Sequence, residues 1–146
     1  MANAAAISVS FLKEVLSGTH NIGNGGNSMK GALYLSSGSL SHTTTAYSTT
    51  SELTNTGYTA GGAAITVDAN SISSTSKTAY WTPSTSVSWA TLTASGIDAL
   101  HIYNTTQSSK SVMVVTFTAQ TVTAADFTLT MPTNDSATAL MRIAVP

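Results

Sequence analysis

The sequence predicts an all-β protein: a single antiparallel β-sandwich, of jelly-roll or immunoglobulin-like topology, with at most a short N-terminal helix. Short segments alternate polar and apolar residues with a period of two, which is typical of half-buried strands. Runs rich in Gly, Asn, Ser and Pro separate these segments at short intervals and indicate turns. Because strands do not alternate with helical segments, a parallel α/β sheet is not expected.

Seven strands are predicted between these turns. They cover residues 29–36, 64–67, 86–92, 100–103, 111–119, 126–132 and 138–145. Trp89, in the segment VSWATL, is predicted to lie in the core. The strands before and after the polar loop 104–110 carry apolar residues on both faces, so they are central in a sheet or contact a second protein.

The N-terminal segment fits either a helix or a strand. Four apolar residues have helical spacing: Phe11, Leu12, Val15 and Leu16. Ser10 is a candidate N-cap for this helix, and Gly18 a candidate stop. Three residues alternate as in a strand: Ile7, Val9 and Phe11. We divide the chain into an apolar arm, residues 1–12, and one sandwich domain, residues 13–146. The start of the chain lacks the pattern of a signal peptide.

Charged residues are scarce, at 8% of the chain against about 25% in typical globular proteins. Ser and Thr together make up about a third, and Thr suits the exposed face of a strand because it is β-branched. The net charge is -1 and the five basic residues are scattered, so a nucleic-acid partner is not expected. Apolar runs are too short for a membrane helix, and without cysteine no disulfide or thiolate metal site can form.

The sequence contains no recognisable catalytic or metal-binding motif. The three histidines lack metal-ligand spacing, and the G-x-S-x-G pattern of serine hydrolases is absent. His20 and His42 lie in polar loops and are expected to be exposed to solvent, whereas His101 lies in a predicted strand. The six acidic residues are far apart in sequence, which leaves only long-range carboxylate pairs open. We therefore expect a protein that is not an enzyme and binds no cofactor or metal.

The glycines of the stretch LTNTGYTAGGAAITV, residues 53–67, could belong to a ligand-binding loop or to turns. The stretch matches neither G-x-G-x-x-G nor the phosphate-binding loop motif. Glycine adopts positive φ without steric cost, and a strand is predicted directly after the pair Gly61–Gly62. We therefore interpret Gly57, Gly61 and Gly62 as structural turn glycines.

Several segments, in this order, resemble a family of small tailed-phage virion structural proteins. They are VLSGTH (15–20), KGALYLSSGSL (30–40), AYSTTSELTNTGYTAGGAAIT (46–66), VSWATLTASG (87–96) and IYNTTQSSKSVMVVTF (102–117). The resemblance covers most of the chain. It implies a non-enzymatic virion component, on the capsid or the tail.

Three functional hypotheses follow. The first is a capsid decoration (cement) protein on the outer surface of the virion, with the major capsid protein and copies of itself as partners. The second is a receptor- or glycan-binding module of a tail fibre or capsid spike, and the third is a small hydrolase. The apolar arm and the central strands supply the candidate partner contacts: Ile7, Val9, Phe11, His101 and Tyr103.

Overall fold

The computed structural model describes residues 2–146, and strands account for 44% of the chain. Its elements are β1 (Ala6–Ile7), α1 (Val9–Leu16), β2 (Met29–Leu35), β3 (Ala63–Ile65), β4 (Ile72–Thr75), β5 (Thr78–Trp81), β6 (Val87–Asn104), β7 (Lys110–Leu129) and β8 (Met141–Ala144). The single short helix and the two antiparallel sheets confirm the prediction of an all-β sandwich.

The larger sheet has five strands in the order β1-β7-β6-β2-β3, and the smaller sheet has three in the order β4-β5-β8. Apolar side chains from the two sheets form a common core. Leu33, Leu100 and Met113 contribute from the larger sheet, and Trp81 and Met141 from the smaller one. The opposite face of the larger sheet, which includes Ala32, Tyr34 and Val114, is covered by the long connection between β2 and β3.

The hairpin of β6 and β7 dominates the fold, and each of its strands merges two predicted ones. The turn lies at residues 105–109, within the predicted loop. Several register shifts interrupt the pairing of the two strands, and Thr91 and Ala124 adopt positive φ of 50° and 46°. Such bulges let long strands twist, and they blunt an open strand edge against pairing with other chains.

The N-terminal segment forms both a strand and a helix. β1 pairs with Val114 and Met113 of β7, and α1 begins at Val9. The helix begins at Val9, so its N-cap is Ser8, and the predicted cap Ser10 lies inside the first turn. The predicted division after residue 12 falls inside α1.

Candidate functional site

The buried carboxylate of Glu52 organises the part of the β2–β3 connection between Tyr47 and Gly61. It accepts hydrogen bonds from Tyr47 Oη at 2.5 Å, Tyr58 Oη at 2.7 Å and the backbone N–H of Gly61 at 2.7 Å. Tyr103 Oη donates to the carbonyl oxygen of Gly61 at 2.7 Å, and its ring stacks on that of Tyr47. We call Tyr47, Glu52, Tyr58 and Gly61 the Glu52 cluster.

The Glu52 cluster fixes the β2–β3 connection to β2. The backbone N–H of Leu33 donates to Tyr58 Oη, and the backbone N–H of Leu53 donates to the carbonyl of Leu33. Burial and the bond to Glu52 raise the pKa of Tyr58 and of Tyr47 above the usual range, so both phenols stay protonated as donors. A carboxylate with three donors and little exposure is a structural anchor.

The three glycines of this stretch adopt left-handed backbone, as the turn interpretation requires. Their φ angles are +83° at Gly57, +90° at Gly61 and +73° at Gly62. A Cβ at Gly62 would lie 2.6 Å from the Cα of Ala32, and one at Gly57 would lie 2.6 Å from the carbonyl oxygen of Thr91. Close backbone approach therefore requires glycine at both positions.

His101 is fully buried and contacts two serines. Its Nε2 lies 2.8 Å from Ser111 Oγ, which lies 2.5 Å from Ser8 Oγ. Its Nδ1 has no hydrogen-bond partner in the described chain. Burial lowers the pKa of His101 to about 4, so the imidazole is neutral at neutral pH. Within residues 2–146 no carboxylate hydrogen-bonds to the ring, and Ser111 is itself fully buried, so the pair lacks the oriented imidazole and the exposed hydroxyl of a catalytic Ser–His arrangement.

The candidate partner contacts are only partly at the surface. Phe11, His101 and Tyr103 are buried within the chain itself, so this conformation does not expose them to a partner. Phe11 packs into the core from α1. Tyr103 lies against Tyr47 and Gly61 of the β2–β3 connection, and His101 lies against Ser111 of β7. Ile7 is half-buried in β1, and Val9 at the start of α1 is 57% exposed.

The expectation of a solvent-exposed His20 is also wrong. Its side chain is enclosed, with Nε2 2.8 Å from Glu14 Oε2 and Nδ1 2.8 Å from Asn104 Nδ2. Lys110 pairs with the other carboxylate oxygen of Glu14. Burial raises the pKa of Glu14, but the bonds from Lys110 and His20 outweigh it and hold the pKa below its usual value. This network attaches α1 to the β6–β7 hairpin.

An apolar groove of about 290 Å³ opens between α1 and the smaller sheet. We define it by its main lining residues: Phe11, Val15, Ile72, Trp81, Met141 and Ile143. Trp81 and Met141 form its buried floor, while Ile72 and Ile143 are each 48% exposed at its rim. The sequence interpretation misses the groove because it does not predict β4 and β5; β4, with the sequence ISST, is exposed along its whole length and shows no alternation.

No group of three or more His, Asp and Glu side chains lies close enough to hold a metal ion within residues 2–146. The helix in this range is too short to cross a membrane.

A comparison with family models, with curated proteins and with solved structures found no match to this chain.

Proposed function

We propose that the chain is a structural protein of a tailed-phage virion. More specifically, we propose a capsid decoration protein, which binds the outside of the major capsid shell and stabilises it. The resemblance of residues 15–117 to small phage virion proteins suggests the class of protein. The structure supplies a further reason to expect an assembly component, in the apolar side chains that it leaves uncovered.

The observation that carries the proposal is the exposed apolar surface around α1. Leu16 is 90% exposed, and the neighbouring groove has rim residues Ile72 and Ile143 that are about half exposed. Contiguous apolar surface on a small soluble chain typically marks a contact with another protein. The low charge content favours assembly as well, because few ions lose their hydration when such a surface is buried.

The fold suits a protein on the outside of a virion. The long β2–β3 connection is fixed by the Glu52 cluster, and the N-terminal helix by the Glu14–His20–Lys110 network. Neither anchor needs a disulfide or a metal. A capsid shell presents many equivalent binding sites. Where bound copies also contact one another, a modest contact in each copy is enough for firm attachment.

Neither tryptophan offers an exposed ring to the receptor- or glycan-binding alternative. Sugar recognition commonly uses exposed aromatic rings, but Trp81 is 2% exposed and Trp89 is 6% exposed. Trp89 packs instead against Tyr58 and Phe127.

A binding experiment tests the proposal. Capsids of the phage that encodes this chain are assembled without it, and the purified protein is added in increasing amounts before the capsids are sedimented. A decoration protein is expected to cosediment and to saturate at a fixed ratio to the major capsid protein. Failure to cosediment at any concentration, while the protein remains folded by circular dichroism, would contradict the proposal.

A further inference from the structure

The loop between α1 and β2 contains the one Asn–Gly pair of the sequence, Asn24–Gly25. Both residues are exposed at the tip of a turn, and Gly25 adopts a positive φ of 71°. A Cβ built on Gly25 would meet no atom within 4 Å. Within residues 2–146, neither the side chain of Asn24 nor the backbone N–H of Gly25 makes a hydrogen bond. The side-chain amide and the backbone nitrogen that follows it are therefore free to approach each other.

Hydrogen bonds close the base of this loop and isolate its tip. The backbone N–H of Asn21 donates to Asn27 Oδ1 at 2.9 Å, and the backbone N–H of Asn27 donates to the carbonyl oxygen of Asn21 at 2.7 Å. Asn27 Oδ1 also accepts from Asn104 Nδ2 at 2.9 Å, which attaches the base of the loop to the end of β6. A chemical change at residues 24 and 25 is therefore confined to an exposed tip, where local changes are tolerated best.

We infer that Asn24 is a site of spontaneous deamidation. The backbone nitrogen of Gly25 attacks Cγ of Asn24, and the new C–N bond closes a five-membered cyclic imide. The bond from Cγ to the side-chain nitrogen breaks, and ammonia leaves with the proton of the Gly25 N–H. Water then opens the imide at either of its carbonyl groups. The products are aspartate and isoaspartate, in which the main chain continues through the side-chain carbon. Each conversion adds one negative charge to the net charge of -1.

Glycine at position 25 favours this reaction because it has no Cβ to obstruct the attacking nitrogen. The other asparagines lack this feature. For five of them, the backbone nitrogen of the next residue already donates a hydrogen bond; they are Asn3, Asn27, Asn70, Asn104 and Asn134. The remaining two, Asn21 and Asn55, precede Ile22 and Thr56, whose β-branched side chains crowd that nitrogen.

Asn55 is the natural internal control for Asn24. It is also exposed in a turn, so the two sites differ mainly in the residue that follows the asparagine. If exposure alone decided the reaction, both sites would convert together. If the glycine decides it, Asn24 converts first.

This inference goes beyond the virion role, because it concerns the purified chain without a capsid. The protein is held at neutral pH for several weeks and its intact mass is measured at intervals. The mass should rise by about 1 Da, because an NH₂ group is replaced by OH. Peptide mapping should place the first conversion at Asn24. Methylation by an isoaspartyl methyltransferase should detect isoaspartate in the same peptide, which distinguishes the cyclic imide from direct hydrolysis of the side-chain amide.

Asn24→Gln and Asn55→Gln form a matched pair of variants. The additional methylene of glutamine would require a six-membered ring, so Asn24→Gln should remove nearly all of the early conversion. Asn55→Gln should leave the early conversion unchanged. Both substitutions lie at exposed positions, and circular dichroism verifies that each variant is folded.

The short peptide NIGNGGN, residues 21–27, is the reference for the unfolded loop. Conversion of the folded chain at Asn24 before any other asparagine, with isoaspartate among the products, would support the inference. An unchanged Asn24 in the folded chain while the peptide converts would overturn it, because the fold would then protect the site. First conversion at another asparagine, or aspartate without isoaspartate, would overturn it as well. None of these measurements involves capsids, so their failure is distinguishable from failure of the virion proposal.

Discussion

The hydroxyl group of Tyr58 donates to Glu52 Oε1 at 2.7 Å and accepts from the backbone N–H of Leu33 at 3.0 Å. A single phenol thus joins a buried carboxylate to the central part of β2. Among residues 2–146, the hydroxyl of Tyr47 bonds only to the other oxygen of Glu52. The two tyrosines therefore differ in how many partners lose a hydrogen bond when the hydroxyl is removed.

We expect Tyr47→Phe to lower the free energy of unfolding by about 1.5–3 kcal/mol, since it removes one hydrogen bond to a charged group. Tyr58→Phe should cost about 1 kcal/mol more, because it also leaves the Leu33 N–H without its partner. Urea denaturation followed by fluorescence measures both values. An equal or smaller loss for Tyr58→Phe would mean that the cluster does not anchor the loop to β2.

Gly62 and Gly18 form a matched pair for testing close backbone approach. Their φ angles are nearly equal, at +73° and +74°. A Cβ at position 18 meets no atom within 4 Å, whereas one at position 62 lies 2.6 Å from the Cα of Ala32. We expect Gly18→Ala to cost about 1–2 kcal/mol from left-handed strain alone. Gly62→Ala should cost about 4 kcal/mol or more, or prevent folding.

Thermal denaturation of both alanine variants provides the comparison. Similar melting temperatures for the two variants would show that the left-handed backbone conformation, and not the close contact with the β2 backbone, requires glycine at position 62.

The buried His101 predicts a loss of stability in mild acid. Its pKa of about 4 in the folded chain lies below the ordinary value of 6.5, so the unfolded chain binds the proton first as the pH falls. The free energy of unfolding has its full value above pH 6.5 and falls progressively between pH 6.5 and pH 4. From pH 7 to pH 5 the free energy of unfolding should fall by about 2 kcal/mol.

The control for this prediction is His101→Leu, which cannot titrate and leaves Ser111 bonded to Ser8. Urea denaturation at pH 7, 6 and 5 should show that most of the pH dependence disappears in the variant. If the free energy of unfolding depends on pH as steeply in the variant as in the natural chain, another group causes the acid sensitivity.

Trp89 packs between Tyr58 and Phe127, with ring centroids 6.3 and 6.1 Å away. Because the ring is buried, Trp89→Ala should cost about 3–5 kcal/mol of unfolding free energy. Denaturation in guanidinium chloride, followed by far-UV circular dichroism, measures the loss. A loss under about 1 kcal/mol would indicate that the ring contributes little to the core.

The fold class and the main strands could be predicted because the alternation of polar and apolar residues reports directly on burial. Met29–Leu35 was predicted almost to its ends, and Trp89 was placed correctly in the core. The β4–β5 hairpin was missed because β4 is exposed along its whole length, so burial imposes no pattern on it. Bulges concealed the continuity of β6 and β7, since each register shift interrupts the period of two.

The candidate site depends on contacts between residues distant in sequence, which local patterns do not encode. Glu52 shows no sequence signal of its own, because its donors Tyr47, Tyr58 and Gly61 are spread along the β2–β3 connection and meet only in the folded chain. His20 was expected at the surface because its neighbours in sequence are polar, yet α1 supplies Glu14 to enclose it. The groove combines α1 with β4, β5 and β8, and only the folded chain brings them together.

Counting copies in the virion tests the proposed role most directly. Quantitative mass spectrometry of purified virions, with the major capsid protein as internal standard, gives the number of copies of this chain per particle. A decoration protein that repeats over the capsid lattice should be present in on the order of hundreds of copies. About a dozen copies or fewer would place the chain in the tail, and its absence from the particle would contradict the virion role altogether.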